Sequence, residues 1–337
     1  MSHKAQSLAR SASARESASA TATALVTGAA GFIGSHLSER LLRDGVRVVG
    51  VDCFTDYYDP ALKRGNLERC LAHPAFRLLE LDLAAADLAA LPEVDVVYHQ
   101  AAQPGVRASW GAEFAVYTHH NVLATQRLLE RYRGLPLERF VYASSSSVYG
   151  DAERYPTDET VLPRPFSPYG VSKLAGEHLV LLYGRNFGMP VTALRYFTVY
   201  GPRQRPDMAF HRFCRAMLRG EPITVYGDGT QSRDFTFIDD AIEANVRAWR
   251  QSAPQGVYNV GGGSQVEVHE AIAILERCLD VRAEVRREPR PPGDPLRTRA
   301  DAGRIRDDLK FVPATPIERG LEAEAAWARG LYAGSRA

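Results

Sequence analysis

The stretch ALVTG (24–28) runs directly into TGAAGFIGSHL (27–37), and that junction restricts the fold more than any other part of the chain. A short β-forming run ends at Gly28, Gly31 and Gly34 follow at three-residue spacing, and a helical apolar pattern starts at once. Glycines at such a turn permit a tight bend and let the backbone approach a ligand closely. The helix that follows presents free N–H groups and the positive end of its peptide dipoles, which suits an anion such as a pyrophosphate. Strand, glycine turn and helix in that order predict a nucleotide-binding crevice, with Phe32 and Ile33 inside the turn.

The same alternation continues along the chain. Short apolar runs at 46–52, 76–81, 94–102, 139–145 and 191–201 are separated by helical patterns at about 32–44, 113–133 and 169–187. Nearly continuous apolar strands alternating with helices predict an α/β fold, a Rossmann-type doubly wound parallel sheet covered on both faces. After 201 the texture changes: helices near 208–219, 237–251, 267–279 and 316–330 lie among loops such as YGDGTQSRD (226–234) and REPRPPGDP (287–295). We expect a smaller, mixed α/β C-terminal lobe that binds substrate at the carboxyl ends of the strands. The expected division is a tail over 1–23, a dinucleotide domain over 24–195 joined by parts of 235–262, and an interleaved substrate lobe over 196–330.

Asp52 ends the second strand, 24 residues past Gly28. An acidic side chain there binds ribose hydroxyls and repels a 2′-phosphate, so the expected cofactor is NAD rather than NADP. Net charge is +1, which excludes a whole-chain electrostatic bias toward nucleic acid or anionic membrane. No apolar stretch reaches the ~18 residues of a membrane span. The four cysteines, Cys53, Cys70, Cys214 and Cys278, are far apart without metal spacing and read as reduced thiols of a cytoplasmic protein. The first 23 residues are Ser/Ala-rich without an apolar core and read as a disordered tail.

These features, with Asp82–Leu83 after the third strand, HQAA (99–102) after the fourth and YxxxK at Tyr169–Lys173, resemble the extended short-chain dehydrogenases/reductases that act on nucleotide sugars. The likeness covers about 24–330. It implies that Asp82 and Leu83 flank the adenine and that Ala101, Ala102 and Gln103 line the nicotinamide side. Asn121 is expected in the same cofactor set. The family implies a homodimer pairing the helices near 113–133 and 169–187.

Tyr169 and Lys173 stand one turn apart on a helix, so both face one way. A phenol titrates near ~10 in water, and a neighbouring ammonium and a nicotinamide cation both favour the phenolate needed for a base. In the family the hydroxyl partner of that tyrosine lies three residues before the valine of VYG, here Ser145 within SSSSVYG (144–150). Nucleotide-sugar dehydratases carry glutamate just before VYG and aspartate ahead of it, and UDP-glucuronate decarboxylases carry that glutamate. Here those positions are Ser147 and Ser146, which lack a suitable proton-transfer pKa, so elimination is disfavoured.

Three segments point to one sugar. DCFTDYYDPALKRGNL (52–67), HQAAQPGVRAS (99–109) and RYFTVYGPRQRPDMA (195–209) resemble the corresponding stretches of the UDP-glucuronate 4-epimerases. The resemblance implies that Ser145, Ser146, Ser147, Thr198 and Arg205 surround the C6 carboxylate. It also implies that Arg107, Tyr226, Arg233 and Asp294 contact the substrate, the last three around the uridine diphosphate. Arg290 and Arg297 are candidates for a second diphosphate contact. The expected reaction inverts C4 through a transient 4-keto sugar, with tightly held NAD regenerated each turnover and no metal. Two alternatives stay open within the family: a UDP-glucose/UDP-galactose 4-epimerase, favoured by YGVSK (169–173), and a UDP-glucuronate decarboxylase. A non-catalytic NAD-binding regulator is the reading from another class. His119 and His120 are taken as local variation, because adjacent side chains on an α-helix diverge.

Overall fold

The computed structural model describes residues 21–252, 254–289 and 295–332. Residues 1–20 of the expected tail, together with Arg290 and Asp294, lie outside the described residues. The strands among the described residues are numbered in chain order: β1 Thr23–Thr27, β2 Arg47–Asp52, β3 Phe76–Glu80, β4 Val96–His99, β5 Arg139–Ser145, β6 Val191–Tyr196, β7 Thr198–Tyr200, β8 Ile223–Tyr226, β9 Ser232–Phe237, β10 Gly256–Val260, β11 Ser264–Glu267 and β12 Val285–Glu288.

A seven-stranded sheet has the order β10-β6-β5-β4-β1-β2-β3, every pair parallel. The chain winds outward from β1 in one direction to β3 and in the other through β4, β5 and β6. That reversal opens a crevice at the carboxyl ends of β1 and β4, where such sheets bind ligands. Side chains alternate along each strand. Ala24 and Val26 of β1 pack with the helices Phe32–Arg43 and Ile238–Arg250 on one face. Leu25 packs on the other face with the helix Ala124–Tyr132 and with Val180 and Tyr183. Each fully buried Val or Leu contributes about 1.5–3 kcal/mol, so both faces hold the sheet together.

The apolar run 191–201 does not form one strand. After β6 the chain turns at Phe197, whose N–H donates to the Val260 carbonyl of β10 (3.0 Å). The next residues, β7, leave the large sheet and pair with β9, giving a second sheet ordered β11-β9-β7. Strands β12 and β8 form a third, parallel pair. Thr198 and the serines of β5 are thereby placed around one opening between the sheets.

The helix expected over 113–133 is also interrupted. An α turn over Phe114–Tyr117 is followed by a wider π segment over Thr118–Leu123, and the α-helix resumes at Ala124–Tyr132. The wider turn brings the His119 and His120 rings together, with centroids 4.8 Å apart and planes nearly perpendicular. This corrects the expectation that the two rings diverge. Such π turns recur at functional sites.

Candidate active site

The glycine turn is built for close approach. Gly28 has φ +67°, and a Cβ there would fall 2.8 Å from the Ala101 nitrogen. A Cβ on Gly34 would lie 2.0 Å from the Gly28 carbonyl. Glycine alone fits these two positions. The helix Phe32–Arg43 starts behind them with no side-chain cap and no acidic residue in its first turn, leaving its N–H groups free for an anion. Asp52 is fixed beside the turn by N–H donors from Ala30 (3.0 Å) and Phe54 (2.9 Å).

One cleft is lined by the glycines with Phe32 and Ile33, by Asp52, by Asp82 and Leu83, and by Ala101, Ala102 and Gln103. Tyr169 and Lys173 close its inner end. This donor set fits a dinucleotide: a glycine cradle for pyrophosphate, a carboxylate for ribose and a tyrosine–lysine pair at the far end. Asn121, expected in the cofactor set, is buried behind the cleft wall. Its side chain instead accepts from the Gln103 N–H (2.7 Å) and donates to the Gln103 carbonyl (3.0 Å) and to Ser172 (2.9 Å). These bonds fix the Gln103 backbone, which forms part of the cleft wall. At the outer end Asp82 is engaged by His119 at 2.8 Å, while His120 lines the cleft. Burial works against the Asp82 carboxylate, but the His119 contact and the Ala84 N–H hold its pKa below the ordinary value.

The helix Pro168–Phe187 carries the candidate acid–base pair. Ser167 caps it by accepting from the Gly170 N–H, Pro168 occupies the first turn, and Gly188 ends it with φ +68°. A Cβ on Gly170 would come within 2.6 Å of the Ser147 carbonyl, so the absence of a side chain lets Tyr169 sit against the serine run. Burial raises the Tyr169 phenol above its ordinary value, while a hydrogen bond with Ser145 and the charge on Arg205 draw it back. Burial pushes Lys173 down to about 7, opposed by Glu177. This runs against the expectation of a phenol lowered by Lys173: burial is the largest influence on Tyr169, and it acts upward.

The four serines have separate surroundings. Ser144 donates to Glu177 (2.6 Å), inside a buried network in which Arg195 donates twice to the Glu177 carboxylate and once to Tyr149, which donates to Asn259. Ser145 ends β5 and accepts from the Ser147 N–H (3.1 Å), which starts a 3₁₀ turn over Ser146–Val148. Ser145, Ser146 and Ser147 line a second opening, continuous with the cleft at Tyr169 and Arg205. Removing one member of a buried ion pair strands the other. Glu177→Ala is therefore expected to lower stability by about 3–5 kcal/mol, read by denaturant unfolding.

Thr198, Arg205, Arg107, Tyr226 and Arg233 line the same opening. The Arg107 guanidinium rests 4.0 Å above the Tyr226 ring, joining the loop after β4 to β8 across the cavity mouth. Arg205 is held by Asp207, Nε to Oδ1 and Nη2 to Oδ2, both 3.0 Å. Lining residues not expected from the sequence include Tyr57, Asp207, Arg212, Arg215 and Gln231. Arg212 and Arg215 stand one turn apart on the helix Ala209–Arg219, directly after RQRPDM, and that spacing was the available signal. Gln231 donates to the Tyr226 carbonyl (2.7 Å). Arg297, a candidate for the diphosphate, lies against the Tyr155 ring (5.7 Å).

Residues 24–261 match the model of the NAD dependent epimerase/dehydratase family. A crystal structure of UDP-glucuronic acid 4-epimerase from Bacillus cereus, in complex with UDP-glucuronic acid and NAD, superposes with a TM-score of 0.89. It is 45% identical and the match covers 92% of this chain and 100% of that one. YtcB of Bacillus subtilis (strain 168), named an uncharacterised UDP-glucose epimerase, is 44% identical over 92% of this chain and 99% of its own length. UDP-glucuronate 4-epimerase 3 of Arabidopsis thaliana is 38% identical over 93% of this chain and 77% of its own length.

Proposed function

This chain belongs to the NAD-dependent epimerase/dehydratase family, and from that premise we propose that it inverts C4 of UDP-glucuronate to give UDP-galacturonate. It is an NAD-dependent nucleotide-sugar 4-epimerase. The observation that carries the uronate reading is the C6 end of the opening. Ser145, Ser146, Ser147, Thr198 and Arg205 all border it, within reach of the cavity that Tyr169 enters. A cation and several hydroxyls converging there suit a carboxylate better than a neutral hydroxymethyl group.

Bound NAD supplies the reversible hydride acceptor, so the sugar passes through a 4-keto form without net redox change. The chain's own groups do the rest. Tyr169 takes the C4 hydroxyl proton directly or through Ser145, and returns it after the keto sugar has turned over. Lys173 lies behind it and favours the phenolate when charged. The 4-keto uronate is a β-keto acid, prone to lose CO₂ as charge moves from the carboxylate toward an enolate. Donors fixed on the carboxylate hold charge where it starts and oppose that loss. Serine rather than glutamate before Val148 removes the acid–base group that elimination needs.

A second reading, a neutral UDP-hexose 4-epimerase, is favoured by the pairing of Arg205 with Asp207, which leaves no bare cation at C6. Comparing kcat/KM for UDP-glucuronate, UDP-glucose and UDP-galactose separates the two. The proposal expects UDP-glucuronate to lead by at least tenfold on the scale of a charge-assisted contact; a lead for either neutral sugar overturns it.

We also propose a homodimer through the helix Pro168–Phe187. Val171 (47% exposed) and Leu182 (49%) are large apolar groups left open on this helix. Leu182 shares a shallow groove with Val122, Ala175 and Leu179. Leu182→Arg is expected to shift sedimentation from dimer to monomer. No helix among the described residues is long and apolar enough to cross a membrane.

A further inference from the structure

The segment DCFTDYYDP (52–60) resembles its counterparts in uronate epimerases, yet beyond Asp52 the chemistry above leaves it without a task. The structure supplies one. Tyr57 borders both halves of the cleft. Its hydroxyl donates to Asp207 Oδ2 (3.4 Å). It also supports the loop after β4 so closely that a Cβ on Gly105 would sit 2.3 Å from it. Asp207 in turn accepts two hydrogen bonds from Arg205, and these are the hydrogen bonds that fix the guanidinium among the described residues.

The geometry points to Asp207, oriented by Tyr57, as the positioning residue that sets specificity at C6 by holding Arg205 end-on to the sugar. The inference rests on the uronate reading given above. Asp207 occupies the Nε–Nη2 side of the guanidinium, so a substrate carboxylate meets the remaining Nη1 and Nη2 hydrogens. An arginine on a loop has several rotors to order, and a partner that orders them beforehand lowers the cost at binding. Burial alone would raise Asp207, but the Arg205 charge together with hydrogen bonds from Arg205, the backbone and Tyr57 outweighs it and holds the carboxyl below its ordinary value.

Two effects of Asp207 oppose each other, and their signs separate them. As a mere competing anion it would weaken uronate binding, and its removal would tighten it. As a positioning group it helps, and its removal weakens uronate binding while sparing a neutral sugar. We assign the second, because Arg205 reaches into the opening from the loop after β7 and, among the described residues, its hydrogen bonds go to Asp207.

The test is calorimetric titration of the NAD-loaded protein with UDP-glucuronate and with UDP-glucose, in wild type, Asp207→Ala, Asp207→Asn and Tyr57→Phe. Asp207→Ala should weaken UDP-glucuronate about tenfold and change UDP-glucose less than about twofold, a split a general packing defect would not produce. Asp207→Asn, which keeps one acceptor, should recover part of the loss, and Tyr57→Phe should show a smaller loss in the same direction. Equal weakening of both ligands, or tighter UDP-glucuronate binding, overturns the assignment. If Asp207→Ala does not fold, Asp207→Asn and Tyr57→Phe carry the same comparison. Wild type that binds UDP-glucuronate without converting it would sink the epimerase reading and leave the binding ratios to judge Asp207.

Discussion

Tyr169→Phe is expected to fold, to keep its NAD and to lose epimerisation by about 10²–10⁴-fold, the range that a positioned acid–base group supplies. The ring would still fill its place against Ser145 and edge-on to Tyr117, where the centroids are 6.2 Å apart. Only the hydroxyl goes, and with it the group that exchanges the C4 proton. Cofactor content after purification and thermal unfolding should match wild type, because the glycine turn, Asp52 and the sheet are untouched. Turnover within tenfold of wild type would defeat the assignment of Tyr169 as base. The pH dependence carries the same logic. Burial raises the phenol, and a base with a raised pKa is less available as pH falls. Activity should therefore decline toward acid.

Arg205→Gln should cost UDP-glucuronate use about 1.5–3 kcal/mol, the scale of a hydrogen bond to a charged group, or roughly 10–150-fold in kcat/KM. NAD retention should not change, since the pyrophosphate cradle lies at the other end of the cleft. UDP-glucose should lose less than UDP-glucuronate. Its remaining loss would come through Tyr169, whose phenol feels the Arg205 charge. Equal loss for cofactor and substrate would count against Arg205 as the carboxylate anchor. The two variants also divide the reaction: the first removes proton exchange and leaves recognition, and the second acts chiefly on recognition.

Most of the dinucleotide half was legible in the sequence because it depends on local rules. A glycine that must adopt φ +67° and an acidic residue at a strand end are visible as letters at fixed spacing. The strands of the parallel sheet were legible too, since burial on both faces leaves continuous apolar runs. The break at Phe197 was not, because residues on both sides are equally apolar and only the pairing of β7 with β9 separates them. The π segment was hidden for a similar reason: 118–123 has no residue that forbids an α turn. The hold of Asn121 on Gln103 was not legible either. Its amide matches two backbone groups of Gln103, a tertiary match that no spacing encodes. Arg212 and Arg215 were missed because arginine is the common base of this chain, so two more on a helix stood out little. Asp207 was hidden in plain view within RQRPDM, and its meaning depends on the guanidinium it holds.

The central claim is inversion at C4 with the uronate carboxylate kept, and NMR of the product formed from UDP-glucuronate in D₂O tests it most directly. The account predicts UDP-galacturonate with its C4 hydrogen retained, because the hydride leaves and returns at the same carbon without exchange with solvent. UDP-xylose in place of UDP-galacturonate, or deuterium at C4, would contradict it.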